Sequence, residues 1–208
     1  MAQSGESIHE GQELLTAGKP LKEAEAAMIL IHGRGAYAHD IIELGALLAG
    51  EEFALLAPQA AQNSWYPYSF LAPLENNEPF LSSALQVVGS LVAQCEKAGI
   101  PAEKVILAGF SQGACLTAEF AARNTRRYGG LLIFSGGLIG PPGTPRDYAG
   151  SLAGTPAFVG CSDIDAHIPL ARVQETAEVL TALGAEDEEV IYPGMGHTIV
   201  TDELNRAR

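Results

Sequence analysis

Basic residues, cysteines and long apolar runs are all scarce in this 208-residue chain, and each shortage closes off a class of function. Lys and Arg number 12 against 25 Asp and Glu, a formal charge of −13 with no basic block. That balance argues against a nucleic-acid partner and against stable membrane association through anionic headgroups. No stretch approaches the roughly 20 apolar residues that a membrane-spanning helix needs. Residues 1–25 are polar and lack the apolar core of a secretion signal. Cys95, Cys115 and Cys161 are scattered, without metal-ligand spacing, and each lies in a segment that reads as buried. Reduced core thiols in a cytoplasmic protein are therefore expected, with no disulfide framework and no metal site. Internal repeats and low-complexity segments are missing as well.

What is present is core-forming material. Nearly half the chain, 47%, is hydrophobic, enough for one domain over residues 1–208. Apolar runs read as strands at 26–31, 53–57, 104–109, 130–135, 156–161 and 189–192. Between them, helical spacing marks 38–48, 79–98, a helix running to about Asn124, and 170–183. Residues 1–25 are weakly patterned; a short edge strand at 12–16 and a turn at Gly18-Lys19-Pro20 are the readings there. Strands alternating with helices of this length predict an α/β fold with a doubly wound, mostly parallel sheet, helices on both faces and no large cap domain.

The most informative stretch is Gly109-Phe-Ser-Gln-Gly113, between the strand at 104–109 and a helix. Strand, glycine-flanked serine and helix form the context in which G-x-S-x-G marks a nucleophile elbow. A serine on so sharp a turn takes a strained backbone conformation, and small neighbours remove the clashes that side chains would cause. The turn lifts Ser111 above the sheet at a helix N-terminus, which favours developing negative charge. A serine nucleophile needs a base and an orienting carboxylate, in the chain order serine, acid, histidine. His197, in the glycine-rich loop after the last strand, suits the base. His167 reads as a residue that shapes the acid loop or the pocket rim. Asp163 and Asp165 both follow the strand ending at Cys161, and position scarcely separates them. Backbone N–H groups of Gln112, directly after the serine, and of Arg34, in His32-Gly-Arg-Gly35, are the expected oxyanion donors. The long connection 58–78 is rich in aromatics, as lids and pocket walls often are. Trp65, Tyr66, Tyr68, Phe70 and Leu71 are candidates for an apolar substrate-binding wall; the alternative is a hydrophobic cluster beneath a long loop.

Four motifs, His32-Gly-Arg-Gly35, Gly109-Phe-Ser-Gln-Gly113, Asp163-Ile-Asp-Ala-His-Ile-Pro169 and Gly194-Met-Gly-His197, resemble in order and spacing those of the phospholipase/carboxylesterase family of α/β hydrolases. The resemblance spans roughly residues 25–200. It implies a cofactor-free serine hydrolase and selects Asp165 as the triad acid, leaving Asp163 to structure its loop. It also places Trp65 in the loop that borders the substrate pocket. Arg34 departs from the leucine of many thioesterase members; its cation would meet an acidic substrate group or pair with a surface carboxylate. The aromatic connection favours small to medium carboxylic esters as the small-molecule partner. An acyl thioesterase or lysophospholipase on the same triad is the alternative, and a silent ligand-binding hydrolase fold the alternative of a different class. A homodimer is compatible with the sequence.

Overall fold

An unbroken apolar run has two sides to bury, so strands of this kind belong inside a sheet covered on both faces. In a computed structural model, which describes residues 7–208, seven strands form one such sheet. They are β1 (Leu14–Gly18), β2 (Ala26–Ile31), β3 (Phe53–Pro58), β4 (Val105–Phe110), β5 (Gly130–Phe134), β6 (Pro156–Ser162) and β7 (Glu186–Tyr192). Their spatial order is β1-β3-β2-β4-β5-β6-β7. Only β1 runs antiparallel to its neighbour; the remaining pairs are parallel.

The helices are α1 (Ala38–Leu48), α2 (Phe80–Lys97), α3 (Gln112–Arg123), α4 (Leu170–Ala182) and α5 (Thr201–Arg206). Side chains alternate across a strand, and β2 sorts them cleanly. Ala27, Ile29 and Ile31 join the core under α2, α3 and α4. Met28 and Leu30 pack on the other face, against α1 and α5. Among the described residues the long connections hold only 3-10 turns, at Ala61–Asn63 and Leu74–Asn77, and no cap domain. No helix of the described residues is long and apolar enough to cross a membrane.

Two edges differ from expectation. The strand read at 12–16 lies instead at Leu14–Gly18, where pairing with β3 fixes it. The last strand begins at Glu186 rather than 189, because pairing with β6 carries three acidic positions into the sheet edge. Within the segment 1–25 read as weakly structured, residues 1–6 lie outside the described residues. His9, by contrast, is buried, and β1 belongs to the sheet.

The order of the strands positions the chemistry. After β2 the chain steps outward to β3, then returns to place β4 on the opposite side of β2. Ile31 lies beside Gly109 in the parallel register, so the His32-Gly33-Arg34-Gly35 loop and the elbow emerge side by side. Such a switch point, beyond the C-terminal strand ends, is where open α/β sheets bind ligands.

Candidate active site

The elbow is built from what its glycines lack. A side chain at Gly109 would overlap the Gly113 carbonyl, and one at Gly113 would overlap the carbonyls of Ile31 and His32. Helix α3 can therefore start directly against β2. Ser111 takes φ +56°, ψ −119°, a conformation costing about 1–3 kcal/mol that the surroundings must impose. Its N–H donates to the Phe134 carbonyl at 3.0 Å, and its own carbonyl accepts from Cys115 N–H at 3.0 Å.

The structure brings Ser111, His197 and Asp165 into one hydrogen-bonded line. His197 Nε2 lies 2.9 Å from Ser111 Oγ, and Nδ1 lies 2.7 Å from Asp165 Oδ2. With the proton on Nδ1 donating to the carboxylate, Nε2 is free to accept from the serine hydroxyl. The Asp165 side chain is fully buried. Burial opposes its charge, yet hydrogen bonds from His197 and from the His167 and Ile168 N–H groups outweigh it and hold the carboxyl below its ordinary value. Those two N–H groups reach Oδ1 at 2.8 and 3.0 Å. The Cys161 thiol approaches Oδ2 at 3.7 Å.

Asp163 has a different part. Its Oδ1 accepts from Gly194 N–H at 2.7 Å, while Ser162 Oγ accepts from Gly196 N–H at 3.1 Å. Both bonds pin the loop that carries His197, whose glycines sit at φ +69° and +78°. His167 does not reach Ser111. Its ring stands edge-on to His197 at 4.7 Å, and Phe110 packs against His197 at 4.9 Å. The imidazole is thus in contact with two rings.

Gln112 is the first residue of α3, where a backbone N–H has no acceptor within the helix. Among the described residues, neither that group nor the Arg34 N–H is taken by another acceptor. A side chain at Gly33 would come within 3.4 Å of Ser111 Cβ, which shows how closely this loop approaches the nucleophile.

Beside Ser111 opens a cleft of about 430 Å³, lined in part by Tyr66, Tyr68, Phe70, Cys115, His167 and Ile168. Three of the five expected wall residues, Tyr66, Tyr68 and Phe70, are there. Trp65 and Leu71 do not line it. Trp65 is wholly buried, its indole N–H donating to the His32 carbonyl at 2.9 Å, and Leu71 packs against the core. These two belong to the hydrophobic cluster beneath the loop. Arg34 pairs with no carboxylate among the described residues: the guanidinium donates to the Pro67 and Tyr68 carbonyls at 2.8 and 2.6 Å. It ties the wall to the oxyanion loop. The Gln112 side chain, overlooked in the sequence, holds the same wall through Trp65 N–H at 2.9 Å and the Tyr66 carbonyl at 2.8 Å. A long polar side chain directly after the nucleophile was the one available signal.

Comparisons with known proteins bear on the family and the fold. The family model described as Phospholipase/Carboxylesterase matches residues 15–208. A phospholipase/carboxylesterase of known structure from Dyadobacter fermentans is 47% identical, with a TM-score of 0.91 over 94% of both chains. Acyl-protein thioesterase 1 of Eremothecium gossypii is 27% identical over 88% of this chain and 86% of its own length. The protein of that name from Gibberella zeae is 30% identical over 56% of this chain, a match spanning only half of its own length. A Bacillus cereus carboxylesterase, 17% identical with a TM-score of 0.74 over 95% of this chain and 92% of that one, shares the fold.

Proposed function

Because this chain belongs to the phospholipase/carboxylesterase family of α/β hydrolases, we propose that it is a serine carboxylesterase that cleaves small to medium esters through an acyl-enzyme. The observation carrying this reading is the continuous Ser111–His197–Asp165 hydrogen-bond line at the mouth of a partly apolar cleft. Ser111 Oγ attacks the ester carbonyl carbon as its proton passes to His197 Nε2. The oxygen that gains the negative charge is held by the N–H groups of Arg34 and Gln112. His197 then protonates the departing alcohol, leaving the acyl group on Ser111. Water attacks next, its proton again taken by His197, and collapse returns that proton to Ser111 as the acid leaves. Throughout, Asp165 fixes the imidazole tautomer and stabilises its charged form.

The names of the fungal relatives favour a second reading, thioester cleavage on the same machinery. The aromatic wall, braced by Arg34 and Gln112, favours a compact acyl group over a long flexible chain. Labelling with a serine-directed fluorophosphonate, beside Ser111→Ala and a panel of matched esters, thioesters and lysolipids, tests both. Wild type should label and hydrolyse the short esters fastest, and Ser111→Ala should do neither. A folded wild type that resists the label would end the serine mechanism, and faster thioester turnover would promote the second reading.

A further inference from the structure

Two histidines outside the triad, His9 and His32, are 3% and 0% exposed, and both nitrogens of each ring are engaged. His32 Nε2 accepts from Ala60 N–H at 3.1 Å, so the ring proton must sit on Nδ1. That Nδ1–H donates to the Gly33 carbonyl at 2.7 Å. His9 is arranged in the opposite sense. Its Nδ1 accepts from Ala61 N–H at 3.1 Å, leaving Nε2–H to donate to the Trp65 carbonyl at 3.0 Å. Trp65 packs against both rings, with centroids 5.3 Å from His9 and 5.1 Å from His32. Burial pushes both histidines below their ordinary value, against hydrogen bonds to backbone carbonyls that act the other way. Both are thus neutral at neutral pH.

The Gly33 carbonyl and the Arg34 N–H belong to one planar peptide unit and point in opposite directions. Whatever fixes the carbonyl also fixes the N–H. We propose that His32 is a positioning residue, holding the Gly33–Arg34 peptide so that its N–H faces the developing oxyanion, with Trp65 and His9 as the buttress behind it. A flip of this peptide would break the 2.7 Å bond, together with the longer one that the same carbonyl accepts from Ala36 N–H at 3.2 Å, and turn a carbonyl toward the place where negative charge forms. The inference rests on the esterase reading and goes beyond it by naming what preorganises one donor.

The test compares two polar replacements. In His32→Asn the amide N–H takes the place of Nδ1–H and keeps the bond to Gly33. In His32→Gln the amide reaches the Nε2 position, keeping the Ala60 bond and losing the Gly33 bond. Loss of a whole oxyanion donor costs about 10²–10³-fold in kcat. For His32→Gln we expect kcat to fall about 10- to 100-fold with KM within about twofold, and for His32→Asn to recover most of the loss. His9→Ala, farther from the cleft, should lower kcat several-fold at constant KM, and it supplies the reading if the His32 variants misfold. Equal kcat in the two His32 variants, a loss confined to KM, or an unchanged kcat in folded His9→Ala where the His32 variants do not fold would overturn the inference while the esterase reading stands. A wild type that turns over no ester overturns both.

Discussion

Two aspartates two positions apart divide the work of one loop, and they should respond very differently to the same substitution. Asp165 gives one carboxylate oxygen to His197 and the other to two N–H groups. Asp165→Asn should lower kcat by about 10³–10⁴-fold, because an amide cannot stabilise the imidazolium and favours the wrong tautomer. Asp163→Asn keeps an oxygen that can accept from Gly194 N–H, so its loss should stay below about tenfold. Ester hydrolysis by the two purified variants checks the pair, and similar losses would contradict the division. The depressed value of Asp165 also has a sign for stability. Its ionisation stabilises the fold above the ordinary carboxylate range, and that contribution disappears as pH falls through and below it.

At the scale of elements, the acidic end of the sheet carries an opposite linkage. Glu203, in the first turn of α5, is fully buried, with one oxygen accepting from Val200 N–H and the other without a partner among the described residues. Burial pushes it up to about 7, and Asp187 on β7 is likewise raised to about 7 by burial and then by Glu189 and Glu188. Both groups hold a proton in the folded chain at a pH where the unfolded chain has released it. Their contribution to stability therefore declines as pH rises from about 4.5 through 7, and levels off above. Glu203→Gln removes its share of that decline. Its melting midpoint should exceed wild type by several degrees at pH 8 and match it near pH 5, as measured by calorimetry. A variant no more stable at pH 8 would contradict the assignment. The same edge shows why β7 was only partly legible in the sequence. Apolar runs such as 26–31 and 130–134 announce strands because both sides are buried, whereas Glu186–Glu189 is held by its β6 partners and not by its own pattern. The elbow and the two loops flanking it were legible because glycine is required there by contact with neighbouring backbone. The inward turn of Trp65 and the burial of His9 were not, since composition says which side chains an irregular segment carries and not which way they point.

For the whole molecule, a charge of −13 makes self-repulsion a standing cost, and like charge along the β7 edge opposes strand pairing with a second copy. Raising salt from about 10 mM to about 200 mM shortens the screening length from roughly 30 Å to under 10 Å. The melting midpoint at pH 8 should climb by a few degrees over that range, and a flat or falling profile would show that repulsion is already balanced locally. The three cysteines give the molecule another overall property. All are buried, and burial pushes the thiols up to about 11 for Cys95 and about 12 for Cys115 and Cys161. Near neutral pH the native thiols should therefore couple only slowly with maleimides. A cysteine introduced at the exposed wall residue Tyr68 would be the one readily coupled position, and a fluorophore there would report directly on how the wall responds when an ester enters.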